Sequence, residues 1–136
     1  MTPTVLDAHA LLAYLQREPS YGTVRDLLTD ALAENTRLLI ASVNLGEVFY
    51  GTLRRWGQKR LSDVEQLIPR LPLEIVVADM ALVREAALLK ATKKMSYADC
   101  FAAALAKMRG GRVVTGDPEF KEVEAEVPIS WLPRTS

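Results

Sequence analysis

The chain has 136 residues, 49% of them hydrophobic and 25% charged, and its 17 Lys+Arg balance its 17 Asp+Glu to a formal net charge of zero. These proportions describe a single globular domain that buries a core without disulfides or a structural metal, which excludes the stapled miniproteins. Zero net charge removes the strongly basic signature of many nucleic-acid binders, although charge can still be segregated over the surface.

Taken in chain order, Thr4-Val5-Leu6 predicts a first strand, followed by helices over about 8–17 and 23–34. Leu38-Leu39-Ile40-Ala41 predicts a second strand, with helices over about 43–56 and 61–69 after it. A third strand is expected at Glu74-Ile75-Val76-Val77, then helices over about 80–93 and 97–108. Arg112-Val113-Val114-Thr115 reads as the fourth strand and Ile129-Ser130-Trp131 as a weaker fifth. Short continuous apolar runs alternating with helices imply an α/β fold with a mainly parallel sheet buried on both faces. No repeat, linker or low-complexity tract divides the chain, so one domain over residues 1–132 with a short tail at 133–136 is expected. In the segment 97–108, Phe101, Leu105 and Met108 share one face and Ala102, Ala103 and Ala106 the other. This helix is expected to be buried on two sides, within the domain or at a subunit contact.

Cys100 is the only cysteine and has no Cys/His cluster around it, which argues against zinc or thiol-redox chemistry. The stretch Met1–Asp7 lacks the basic region of a secretory signal, and no apolar run approaches the ~18 residues of a membrane span. A reducing cytoplasm is the expected compartment.

Sites in open parallel sheets form beyond the carboxyl ends of the strands, and here those ends are acidic. Asp7 directly follows the first strand, Asp117 follows the fourth across Thr115-Gly116, Glu47 lies early in the helix after the second, and Asp99 opens the helix leading into the fourth. Each acid also has a structural explanation. Asp7 suits the N-cap of the first helix, Ser96 and Asp99 read as a capping box, and Asp117-Pro118 reads as an N-cap followed by Pro. Asp79 exits a strand too and has only the cap reading. Glu47 shares a helical stripe with Asn44, Gly51 and Arg54, opposite Leu45, Phe49, Leu53 and Trp56, and such a stripe suits either a cleft wall or a solvated face. Several converging carboxylates need a counter-charge, and oxygen-only ligands select Mg²⁺ or Mn²⁺ over Zn²⁺. An acidic site around such an ion suits phosphodiester chemistry without a His base, in keeping with His9 being the only histidine.

The succession strand-Asp7-Ala8, Asn44-Leu45-Gly46-Glu47-Val48-Phe49-Tyr50-Gly51, Ser96-Tyr97-Ala98-Asp99-Cys100-Phe101-Ala102-Ala103-Ala104-Leu105-Ala106 and Val114-Thr115-Gly116-Asp117-Pro118-Glu119-Phe120 resembles a PIN domain, specifically a VapC-type toxin ribonuclease. The resemblance spans nearly the whole chain. It implies a three-layer α/β/α sandwich with a four- or five-stranded sheet in which the first and fourth strands are neighbours and the third is an outer one. It further implies a pocket of Asp7, Glu47, Asp99 and Asp117 for one or two Mg²⁺ or Mn²⁺ ions, supported by Thr115, cleaving RNA endonucleolytically. A VapB-like antitoxin whose Arg or Lys enters the pocket, and a homodimer to which the helix 97–108 contributes, are further implications. One departure is His9, which stands where the family often carries a small hydroxyl residue.

Arg54-Arg55-Trp56-Gly57-Gln58-Lys59-Arg60 is the densest basic run, readable as helix-end charge or as a contact to RNA phosphates, with Arg54 and Asn44 as candidate substrate-binding residues. Lys93 and Lys94 offer a second such place. Phe49, Tyr50, Leu53 and Trp56 read as core or as part of an antitoxin groove. Two other functions compete: a catalytically inactive PIN-fold module that binds RNA or a partner, and an aspartyl-phosphate phosphatase or receiver using Asp7. The phosphatase would need a carboxylate at position 9, and the receiver a strand-end Lys that the sequence does not place.

Overall fold

All five strands form: β1 (Thr4–Leu6), β2 (Leu38–Ala41), β3 (Leu73–Val76), β4 (Arg112–Thr115) and β5 (Ile129–Trp131). The computed structural model describes residues 2–133, so of the expected tail only Pro133 falls within it and 134–136 lie outside the described residues. The strands build one sheet in the order β3-β2-β1-β4-β5, every pair parallel, with Val5 opposite Leu39 on one side and Val113 on the other. β1 is therefore central, β4 is its neighbour, and β3 is an edge. This is the three-layer α/β/α arrangement.

The two-residue period of the strands divides the core. Leu6, Ile40 and Val114 face the layer formed by α1 (Ala8–Leu15), α2 (Tyr21–Ala33), α3 (Ser42–Trp56) and α4 (Gln58–Leu67). Val5, Leu39 and Val113 face α5 (Met80–Thr92) and α6 (Tyr97–Arg109). Gly57 separates α3 from α4 at φ 89° and ψ 179°, a conformation open to glycine, and the chain resumes helix at once rather than at residue 61. A 3-10 turn, Ile68–Arg70, follows α4, and another, Pro118–Val123, follows β4. Among the described residues no helix is long and apolar enough to cross a membrane.

The expected face of α3 is corrected, and the expected two-sided burial of α6 is met within the domain except at Met108. The inward stripe of α3 is Asn44, Leu45, Val48 and Thr52, whereas Phe49 is half-buried and Tyr50, Leu53 and Trp56 are 52%, 41% and 52% exposed. The 15 residues of α3 span about 22 Å, while strands of three or four residues span only about 10–13 Å, so the helix outruns the sheet that would cover its end. In α6 every residue from Asp99 to Ala106 is buried within this one chain, and Met108 is exposed. The alanines let α6 lie close to the sheet and to α5, so both of its sides are covered without a second subunit.

Candidate metal centre

Because β1 and β4 are parallel neighbours, their carboxyl ends open at the same edge, and Asp7 and Asp117 leave the sheet side by side. Asp7 caps α1, its Oδ1 accepting from the Ala10 amide at 2.8 Å. Its Oδ2 accepts from the Thr115 hydroxyl at 2.5 Å, and the same Thr115 oxygen accepts from the Asp117 amide at 2.9 Å. Asp117 Oδ1 in turn accepts from the Glu119 amide at 2.9 Å. The cap readings are thus met at Asp7, Asp117 and Asp79, the last accepting only from the Leu82 amide in the first turn of α5. At Asp7 and Asp117 capping and pocket placement coexist, since the cap occupies one carboxylate oxygen, and the other, bonded to Thr115 in Asp7, keeps a further lone pair.

The capping box at Ser96 is only half formed. Ser96 Oγ accepts from the Asp99 amide at 3.1 Å, but the Ser96 amide donates to Glu119 Oε1 at 2.8 Å instead of to Asp99. Glu119 thereby releases the Asp99 carboxylate toward the pocket, where ligand oxygens of Asp99, Asp117 and Glu119 all lie within 4.8 Å of one another. Glu119 is the site residue that sequence reasoning left out. The available signal was an acid two positions beyond Asp117 in the same turn.

Glu47, on α3, lies near enough to Asp117 to interact with it electrostatically and is held by Asn44. The Asn44 amide, fully buried, donates to Glu47 Oε1 at 3.2 Å and to the Ala98 carbonyl at 3.0 Å, while its own oxygen is buried without a partner. Both donors of Asn44 are spent inside the protein, so it positions Glu47 and tethers α3 to α6 rather than offering itself to substrate. Arg54 lies seven residues beyond Glu47, about 10 Å further along α3, exposed and with its guanidinium 5.4 Å from the Tyr50 ring centre. Much of the basic run has structural duties: Arg60 donates to the Leu15 carbonyl at 2.8 Å, Arg55 to Gln16, and Lys59 pairs with Asp63. Lys93 pairs with Glu126 at 2.9 Å.

The electrostatics follow from this crowding. Burial pushes Asp7 up to about 6 against the opposing pull of the Thr115 and Ala10 hydrogen bonds and the nearby His9. Burial, reinforced by repulsion from Asp117 and Asp7, pushes Asp99 up to about 8. Glu47 is raised by burial and by Asp117, with the Asn44 bond opposing. Asp117 thus interacts electrostatically with Asp7, Glu47 and Asp99 alike. Among the described residues no Lys or Arg pairs with any of these carboxylates. An all-oxygen donor set that lacks a protein counter-charge and resists ionisation fits a hard divalent cation.

The PIN domain family model matches residues 4–126, and the chain belongs to the PIN-domain family. Its fold is similar to that of several solved toxin–antitoxin proteins. A chain of DNA-bound VapBC from Salmonella typhimurium is 24% identical over 98% of this chain and 100% of that chain, with a TM-score of 0.77. One of VapBC2 from Rickettsia felis, bound to a promoter DNA fragment, is 19% identical over 96% and 98%, with a TM-score of 0.73. The sarcin-ricin-loop-cleaving toxin VapC20 of Mycobacterium tuberculosis is 15% identical over 87% and 92%, with a TM-score of 0.70. No curated protein sequence matches significantly.

Proposed function

We propose that this chain is a divalent-metal-dependent endoribonuclease, the toxin of a VapBC-type pair. The observation that supports the reading is the group formed by Asp99, Asp117 and Glu119, whose carboxylate oxygens lie within 4.8 Å of one another, with Asp7 and Glu47 near enough to interact electrostatically with Asp117 and with no Lys or Arg paired to them among the described residues. These residues would hold Mg²⁺ or Mn²⁺. Such an ion, held there, would supply neutralisation of phosphate charge and activation of a water as nucleophile. The chain's own contribution is preorganisation. Thr115 and Ala10 orient Asp7, Asn44 orients Glu47, and the Ser96–Glu119 contact turns the start of α6 so that Asp99 faces inward. Burial of these acids makes the charged forms costly without a cation, which ties ionisation of the site to metal loading.

The partners and compartment follow the same reading. The exposed apolar end of α3, Tyr50, Leu53 and Trp56, with Arg54 and Arg55 lying over the Tyr50 and Trp56 rings, supports a surface for a VapB-like antitoxin. The protein acts as a cytoplasmic homodimer, with exposed Met80 and Leu88 on α5 available for the subunit contact. The test is cleavage of RNA by the wild type and by Asp7→Asn with Mg²⁺, Mn²⁺ or EDTA. Cleavage by the wild type only, and only with metal, is expected; activity in EDTA or an unimpaired Asp7→Asn would overturn the reading.

A further inference from the structure

His9 is a residue to which the resemblance assigns no role, and its setting is unusual. It is exposed in the first turn of α1, although Asp7, Ala8, Ala10 and Leu11 around it are all buried. Its ring lies in the space that a side chain at position 116 would fill. A Cβ added to Gly116 would stand 2.5 Å from His9 Cε1, 3.1 Å from Nδ1 and 3.2 Å from Nε2. The imidazole is therefore lodged against the Thr115-Gly116-Asp117 turn, between the first and fourth strand ends that carry Asp7 and Asp117. Gly116 has no positive φ, so the room for the ring, and not backbone conformation, is what the glycine provides there.

The chemistry of the pocket says what such a ring can do. Ionised around a cation, the carboxylates would offer acceptors only, the Thr115 hydroxyl donates its hydrogen bond to Asp7, and both Asn44 N–H groups are spent on Glu47 and Ala98. An RNA phosphodiester also brings only acceptors to its non-bridging oxygens. Among the described residues neither ring nitrogen of His9 has a hydrogen-bond partner, so even a neutral imidazole holds one N–H free beside the acids. We propose that His9, lodged on Gly116, is a substrate-contacting residue that donates a ring N–H to a non-bridging phosphate oxygen of the RNA. The proposal rests on the ribonuclease reading and adds to it a chain-specific phosphate clamp.

The test is a double-mutant cycle read as binding rather than turnover. The affinity of a fluorescein-labelled single-stranded RNA of mixed sequence is measured with Ca²⁺ in place of Mg²⁺ for the wild type, His9→Ala, Gly116→Ala, the double variant and His9→Gln, with Mn²⁺ affinity by calorimetry alongside. His9→Ala and Gly116→Ala are each expected to weaken RNA binding about fivefold to tenfold, the loss of one hydrogen bond to a charged group at an open site. The double variant is expected to bind no worse than His9→Ala, because the added methyl acts only by displacing the ring. His9→Gln, which keeps an N–H donor, is expected to recover most of the loss, and Mn²⁺ affinity to stay within twofold throughout. His9→Ala binding RNA like the wild type would make His9 a solvated helix residue and overturn the proposal. A loss of Mn²⁺ affinity would assign it to the metal instead and do the same. Failure of the wild type to bind RNA at all would remove the ribonuclease reading itself.

Discussion

Thr115 and Asp7, 108 positions apart in sequence, are joined by a hydrogen bond from the threonine hydroxyl to the aspartate Oδ2 across the β1–β4 pair. Both residues are buried, and the same Thr115 oxygen accepts the Asp117 amide. One hydroxyl thereby sets the orientation of one pocket carboxylate and the backbone that presents another.

Replacing Thr115 by Val keeps the shape and removes both bonds, leaving a buried carboxylate and a backbone N–H short of partners. Such orphaned groups cost about 1–3 kcal/mol each. Thr115→Val is therefore expected to fold with a lowered melting temperature, to bind Mn²⁺ more weakly, and to cleave RNA at least tenfold more slowly. Thr115→Ser, which restores the hydroxyl, should return cleavage to within about threefold of the wild type; a slow Ser variant would show that the threonine methyl, not the hydroxyl, matters.

The raised acids predict how metal-free stability depends on pH. Asp7 and Asp99, pushed up from 3.8 to about 6 and about 8, hold their protons more tightly in the folded chain than in the unfolded one. Between about pH 4 and pH 8 the folded state binds more protons, so stability falls as pH rises through that window and is greatest at its acidic end. Thermal melts in EDTA should show this decline, and Mn²⁺ should reverse much of it by favouring the charged forms. Asp99→Asn should melt about 5 °C above the wild type in EDTA at pH 8.5, lose that advantage near pH 4, and be inactive. A melting temperature in EDTA that is flat or rises over this range would show that the acids are not strained against one another.

Away from the site, Gly111 predicts a purely structural failure. A Cβ there would collide with the Pro3 carbonyl oxygen, the same oxygen that accepts the Arg112 amide at 3.0 Å to start the β1–β4 ladder. Backbone cannot step aside as a flexible side chain can. Gly111→Ala is expected to cost about 3 kcal/mol in urea unfolding while leaving Mn²⁺ affinity per folded molecule unchanged.

The sequence by itself determined the element order and the parallel sheet, and it put acids just past the strand ends, because each of these is a local signal. A continuous apolar run marks a strand buried on both faces, and an acid just past it sits at a helix start. Asp79 passes the same local test, and only strand order sets it aside, since its strand lies at the edge of the sheet and its carboxylate serves Leu82. What only the tertiary structure decided depends on which elements meet. The inward stripe of α3 turned out to be Asn44, Leu45, Val48 and Thr52 because α3 outruns its sheet, a matter of relative lengths that helical periodicity does not contain. Asn44 became an internal clamp because α6 brings the Ala98 carbonyl within its reach. Glu119 joined the carboxylates, and His9 came to rest on Gly116, because parallel pairing sets the end of β4 beside the end of β1. Charge and periodicity act within a few residues along the chain, whereas the meeting of Asp99 with Asp117 and Glu119, and the approach of Asp7 and Glu47 to Asp117, exist only once the sheet has closed the distance between them.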